Sequence, residues 1–446
     1  MQHIARVWWA ILTIVTIVWL AADAGGAQRF TMIEWRNVLV QYSGLLAVAW
    51  MSAGVILATR PRWPERWLGG LDKMYRLHKW VGISALVLSV LHWVSAKGPK
   101  WATTLGMMER GPRAPRAVPT NVIERGFLDY RGPAEAIGEW AFYAVVVLSV
   151  VSLVKWFPYR AFYQSHRLFA LVYLALCFHA IILTNFVYWT SPVAVVLAPT
   201  LAWGVWAALR LIFRRVGVDR QAEGTITALE YYPGVHALEV VLDVPHGWRG
   251  HTPGQFAFVR SNRWEGAHPY TMASAWDMGT QRITFVVKAL GDHTARLREK
   301  LQIGQAVRVE GPYGCFTFDG DETRQIWVGG GVGITPFIAR MKFLAAQGPQ
   351  AHVAVDLFHA SADEDAKAFA KLGIDADAAG VQLHISVDAR NGFLSAARIR
   401  ELVPDWRSSS IWFCGPTALG DALRRDFATA GMDVRGRFHQ ELFAMR

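Results

Sequence analysis

The chain has 446 residues, 21 tryptophans, three cysteines and a formal net charge of +11. That length exceeds one typical domain, and Cys177, Cys315 and Cys414 are too scattered for a zinc or disulfide pattern. Nucleic acid is not the expected partner, because Lys and Arg flanking apolar segments explain much of the charge.

Composition changes near residue 216: long apolar runs lie upstream, and a mixed soluble sequence rich in glycine follows. Apolar segments near 7–24, 38–58, 78–96, 136–154, 166–185 and 192–213 are each about 20 residues, enough to cross a ~30 Å hydrocarbon core as helix. The first has no convincing signal-peptidase site and reads as a retained span. Arg60, Arg62, Arg66, Lys73, Arg76 and Lys79 lie between spans two and three. Lys155 and Arg160 lie between spans four and five, and Arg214 and Arg215 follow span six. Positive-inside bias then puts both termini and the soluble tail in the cytoplasm of a bacterial-type inner (plasma) membrane. The basic segment 97–135 reads as an outer loop, either a docking surface or a solvated connector.

His78 and His92 lie in span three, and His166 and His179 in span five. Ionisable groups at membrane depth are costly and kept for function by default. The two spans run in the same direction, so His78 shares a depth with His166, and His92 with His179. Spacings of 14 and 13 residues correspond to about 21 and 20 Å of helix, which predicts two stacked haems, each with two imidazole ligands. Core histidines satisfied by neighbouring helices are the alternative; a single shared mononuclear metal site is excluded by the separation. In an ideal helix His166 and His179 point about 140° apart, so tilt, local winding or offset haems must absorb the difference.

The segments LHKWVGISALVLSVLH (77–92) and SHRLFALVYLALCFHA (165–180) resemble the third and fifth helices of the ferric reductase and NADPH oxidase superfamily. The resemblance implies that His78 and His166 hold an inner b-type haem, and His92 and His179 an outer one. It covers nearly the whole chain. Many eukaryotic oxidases of this superfamily carry a further His one turn past the outer ligand, where this chain has Ala96. Span two also lacks an intramembrane Arg near its outer end.

Beyond residue 217, TITALEYY, ALEVVLDV, GQFAFV and ITFVVKAL read as strands of a small antiparallel barrel. HPYTMAS at 268–274 resembles the flavin motif of ferredoxin reductase-like domains. That likeness implies FAD contacts from His268, Pro269, Tyr270, Thr271 and Ser274: His268 toward the phosphates, Tyr270 packed on the isoalloxazine and Thr271 offering a hydroxyl near N5. KALGDHTARL (288–297) is a Gly turn opening a helix, where free N–H groups favour phosphate. Gly291, His293 and Thr294 are therefore candidate pyrophosphate contacts. EGPYG (310–314) reads as a turn closing the barrel.

From 322 strand and helix patterns alternate, an α/β organisation. GGGVGITPF (329–337) follows an apolar strand and opens a helix, suited to a diphosphate. It resembles the GGxGxTP turn of reductase NAD(P)H domains, with Gly329, Gly331, Gly333, Thr335 and Pro336 in register. FCGP resembles the second nucleotide motif, which implies nicotinamide-side roles for Cys414, Gly415 and Pro416. In the terminal FHQELFAMR, Phe443 is the candidate for stacking on flavin and Glu441 for supporting the transfer site. The catalytic set implied is Thr271, Cys414, Glu441 and Phe443. Ser361, Ala362, Asp363, Glu364 and Asp365 follow the strand DLFHA, where NADPH users often place Arg; Arg390 is a possible substitute, and the coenzyme is NADPH or NADH.

The expected architecture is a multidomain membrane protein. A six-helix transmembrane bundle (1–216) precedes a ferredoxin reductase-like FAD-binding β-barrel (217–321) and an α/β NAD(P)H domain (322–446). The expected function carries electrons from cytoplasmic NAD(P)H through FAD and two b-type haems to an extracytoplasmic acceptor. O2, giving superoxide, is the first choice; ferric chelate, or a periplasmic protein or quinone, is the alternative. No obligate protein partner is expected beyond the lipid membrane.

Overall fold

A computed structural model describes residues 2–23, 32–107, 119, 121–154, 156–157, 159–262, 266–320, 322–348 and 353–441. The chain divides into two compact units. The first takes in residues up to Val216 except 69–72, and the second begins at Gly217.

The first unit is helical. Its main helices are α1 (Gln2–Asp23), α2 (Met32–Ala58), α3 (Leu71–Thr104), α4 (Arg131–Leu153), α5 (Tyr159–His166), α6 (Phe169–Leu183) and α7 (Pro192–Ile212). Six stretches are long and apolar enough to cross a membrane, with α5 and α6 together supplying the fifth as Ala161–Leu183. Large apolar side chains on their outer faces stay exposed, such as Ile17 at 59%, Val147 at 61% and Val195 at 77%. In water such surfaces would associate, whereas in lipid they are solvated. Inside, Trp50 is fully buried, and Trp8 Nε1 donates to Ser84 Oγ (2.9 Å) to tie α1 to α3.

Three sequence expectations change here. Helix α2 starts at Met32, so Arg36 belongs to it after all, and Arg36 Nη2 donates to Ala96 O (3.0 Å). The 97–135 segment is helical for much of its described length. Helix α3 continues to Thr104, and Val122–Asp129 is capped by Asn121, whose side chain accepts from Glu124 N (2.9 Å). Two of its basic residues are paired, Lys97 with Glu139 (2.8 Å) and Arg131 with Glu135 (3.2 Å); residues 108–118 lie outside the described set. The break between α5 and α6 falls immediately after His166. Leu168 N bonds to Ser165 O (3.0 Å) and Ala170 N to Arg167 O (3.2 Å). These tighter i→i+3 turns change the winding of the helix between His166 and His179.

The second unit carries two sheets. Strands β1 (Gln221–Tyr232), β2 (Ala237–Asp243), β3 (Phe256–Arg260), β4 (His268–Thr271), β5 (Arg282–Lys288) and β6 (Ala306–Tyr313) run in the order β4-β3-β6-β1-β2-β5. A bridge between Met272 and Phe285 joins the two ends, closing the sheet around Ile226, Leu242, Ile283, Phe285 and Val309. EGPYG is therefore strand rather than turn. Phe256 pairs with Tyr313 and Phe258 with Glu310, so Gly311 and Pro312 together face one residue of β3. A bulge of this kind tolerates a proline that has no N–H to donate.

The other sheet is parallel, with β7 (Arg324–Gly330), β8 (Ala354–Ser361), β9 (Gln382–Val387), β10 (Ser410–Cys414) and β11 (Phe438–Glu441) in the order β11-β10-β7-β8-β9. Its central strands β7, β8 and β10 are buried on both faces, while the edge strand β9 is partly exposed. Trp327, Leu357 and Trp412 pack toward α8 (Thr335–Gln347) and α9 (Ala366–Ala379). Ile326, Phe358 and Phe413 pack toward α10 (Thr417–Thr429).

Candidate functional site

Each histidine pair meets in the helical unit. The rings of His78 and His166 have centroids 5.9 Å apart, and those of His92 and His179 6.1 Å, at interplanar angles of 68° and 89°. Every Nδ1 is tied to a further helix: His78 to Gly54 O (3.0 Å) and His92 to Val40 O (3.0 Å) on α2. On α4, His179 reaches Ala134 O (2.9 Å) and His166 reaches Ser152 Oγ (2.9 Å). An Nδ1–H given to an acceptor leaves Nε2 with its lone pair, the form a metal needs. Among the described residues no three or more His, Cys, Asp or Glu side chains converge. Two ligands apiece suit haem iron rather than zinc. An iron held by two imidazoles needs about 6 Å between ring centres, from metal–N bonds of about 2 Å and about 1 Å from each Nε2 to its ring centre. The residues fit the group.

Close approach to these rings depends on glycine. A Cβ on Gly138 would stand 1.9 Å from His179 Nδ1, and one on Gly44 3.2 Å from His92 Cε1. Sequence reading missed Gly138 and Ser152. A small residue in an apolar span is a common helix-packing signal, and only the tertiary contact links it to a ligand.

In the barrel, HPYT forms β4. Thr271 is buried and its Oγ1 has no hydrogen-bond partner among the described residues, an orphaned hydroxyl that a flavin edge would satisfy. His268 and His293 stack with centroids 3.7 Å apart at 11°, bringing the two flavin motifs together. The N–H groups of Leu290 and Gly291 both donate to Thr294 Oγ1 (2.9 and 3.1 Å). These two bonds close the turn ahead of the helix. His251, not foreseen from sequence, braces the motif from behind: Trp248 Nε1 donates to its Nδ1 (3.3 Å), and its Nε2–H donates to Ser274 O (2.9 Å). Burial lowers the His251 pKa to about 4, partly offset by the bond to Ser274.

Strand register assembles the nucleotide edge. Glu441 pairs with Cys414, Cys414 with Gly329, and Gly329 with His359, forming one row across four neighbouring strands at their C-terminal ends. Such an edge is where open α/β sheets bind ligands. The two turns interlock: a Cβ on Gly333 would lie 2.2 Å from Cys414 O, and one on Gly330 2.6 Å from Pro416 Cδ. Gly331 takes φ +56°, which favours glycine, and Thr335 and Pro336 open α8. Burial, then the charge of Glu441, pushes the Cys414 thiol well up, so it stays protonated. His359 Nδ1–H donates to Gly329 O (3.1 Å), and burial lowers its pKa to about 4. A cleft is lined by Ala273, Thr284 and Lys288 from the barrel and by Gly331, His359 and Ser361 from the parallel sheet. Phe443 lies outside the described residues.

At the end of β8 the charges are engaged. Asp363 pairs with Lys288 (3.5 Å), and Glu364 with Arg390. Asp365 caps α9 and accepts from Gly234 N (2.8 Å).

Residues 43–177 match the ferric reductase like transmembrane component, and residues 223–317 match an FAD-binding domain. This is the domain pair of the NADPH oxidase and ferric reductase superfamily. His78, His92 and His166 lie inside the matched transmembrane segment, and His179 lies two residues past its end. An NADPH oxidoreductase of Mycobacterium tuberculosis is 28% identical over 256 residues, which is 55% of this chain and 63% of that protein. Ferric reduction oxidase 8, mitochondrial, of Arabidopsis thaliana is 26% identical over 204 residues, 42% of this chain and 25% of its own length. The matches span less than two thirds of these curated relatives. Among solved structures, the flavohem-like FAD/NAD binding domain of nitric oxide dioxygenase from Vibrio cholerae covers 50% of this chain and 98% of its own, at 18% identity and a TM-score of 0.43.

Proposed function

We propose that the protein is a transmembrane NAD(P)H-dependent oxidoreductase that moves electrons through FAD and two b-type haems to an acceptor on the opposite face. The soluble unit, read as a 217–321 FAD domain and a 322–446 NAD(P)H domain, faces the cytoplasm, following the basic residues beside spans two, three and six. The observation that carries the proposal is the pair of imidazole couples, each one iron wide, with every Nδ1 tied off. When bound, FAD divides a hydride's two electrons into single transfers and haem carries them one at a time.

The chain's own residues bind, orient and insulate. His78 with His166, and His92 with His179, would hold the two haems. His268, Pro269, Tyr270, Thr271 and Ser274 would hold the flavin, with His293 stacked beside His268 and Gly291 and Thr294 closing the turn. Gly329, Gly331, Gly333, Thr335, Pro336, Gly415 and Pro416 let a dinucleotide approach the sheet edge. Cys414, as a neutral thiol, and Glu441 present the nicotinamide side, with Phe443 the proposed flavin-stacking residue.

O2 is the proposed acceptor, one electron converting it to the superoxide anion; with both iron positions taken by protein ligands it would be reduced at the haem edge rather than bound to the metal. Ferric chelate is the second reading, favoured by two cations beside the segment of α3 that follows His92: Lys97 of α3 itself and Arg36 of α2, which bonds to Ala96 O. NADPH and NADH oxidation by the haem- and FAD-loaded protein in air, followed with cytochrome c, tests both. Reduction abolished by superoxide dismutase supports O2. Slow turnover in air but fast turnover with ferric citrate under argon supports the second reading, and inactivity with both acceptors overturns both.

A further inference from the structure

Of the four Nδ1 acceptors, three are backbone carbonyls that no substitution removes. The fourth is a side chain. Ser152 Oγ lies 2.9 Å from His166 Nδ1, and its own proton goes to Leu148 O (2.7 Å), one turn back on α4. With that proton committed, the oxygen can only accept from His166. The Leu148–Ser152–His166 chain therefore fixes Nδ1–H on His166 and turns the Nε2 lone pair toward His78.

We propose that Ser152 is a positioning residue that orients His166 and sets how strongly it donates to the iron of the His78–His166 site. This rests on the two-haem reading above. An acceptor on the far nitrogen raises the basicity of a metal-bound imidazole, and greater ligand basicity favours the ferric state. Removing the hydroxyl raises the midpoint potential of one haem and leaves the other where it was. His92 supplies the internal control. Ser43 Oγ also sits near its Nδ1 at 3.3 Å, but Val40 O is closer at 3.0 Å and remains when the hydroxyl is lost.

The test is an anaerobic redox titration of the full-length, haem- and FAD-loaded protein in detergent, with low-temperature EPR of its ferric state. Ser152→Ala should move one midpoint upward and shift one low-spin signal. Ser152→Thr should restore both, and Ser43→Ala should leave both unchanged. Loss of one haem in Ser152→Ala that Ser152→Thr recovers supports the same role. Unchanged potentials and spectra in Ser152→Ala, or a haem loss that Ser152→Thr does not recover, overturn it. A wild-type protein without two low-spin ferric haems overturns the ligand reading beneath it, an outcome distinct from a silent serine.

Discussion

The helical unit and the soluble unit build their sites by opposite means. In the helices, side chains carry the chemistry and backbone carbonyls hold them, as Gly54, Val40 and Ala134 hold His78, His92 and His179. In the parallel sheet, backbone turns form the site and side chains brace them, as His359 braces Gly329. A lipid-facing helix has its backbone satisfied internally, so only side chains are left to bind a cofactor. A strand end leaves N–H groups free, and there glycine matters more than any functional group.

The sharpest way to break this contrast is His92→Ala. It should remove one of the two haems and abolish acceptor reduction while NAD(P)H still bleaches the flavin. Pyridine haemochrome content and stopped-flow flavin absorbance check this; two haems retained would end the ligand assignment. Next in size is glycine replacement in each unit. Gly138→Ala should displace His179 and lower haem content. Gly333→Ala should raise KM for NAD(P)H by roughly fivefold or more, since overpacking costs about 1–3 kcal/mol, and steady-state kinetics would detect it.

Acid should separate the units further. His251 and His359 are neutral when folded, with pKa values lowered to about 4 by burial, against about 6.5 when unfolded. Between those values the unfolded chain binds more protons. Stability of the soluble unit is therefore intact above pH 6.5 and falls as pH drops toward 4, by up to about 1.4 kcal/mol per pH unit per histidine. Flavin release followed by fluorescence should begin in that window, and His251→Gln should flatten it. The smallest effect is expected at Glu364. Glu364→Ala frees Arg390 from an exposed pair worth about 0.2–1 kcal/mol, raising the NADPH-to-NADH ratio of kcat/KM by roughly 1.4- to fivefold. An unchanged ratio would remove Arg390 from coenzyme selection.

The spans, the histidine pairs and the glycine turns were legible in the sequence because each violates a local expectation: an imidazole in an apolar run, or GGGVG after an apolar strand. Span ends were less legible, since hydropathy fades gradually, and so Arg36 was left outside its helix. EGPYG misled because Gly-Pro marks turns locally, while a bulge opposite β3 accommodates it within a strand.

Hydrophobic period, spacing and glycine placement are properties of neighbours along the chain, so the residues of the proposed sites could be picked out from the sequence. Only the tertiary structure decided what holds them. The choice of Ser152 for His166, the clearance that Gly138 gives His179 and the row from Glu441 to His359 join residues distant in sequence. Hydrogen bonds and van der Waals contacts act over a few ångströms in space, and no local pattern records which distant residue will fill that distance.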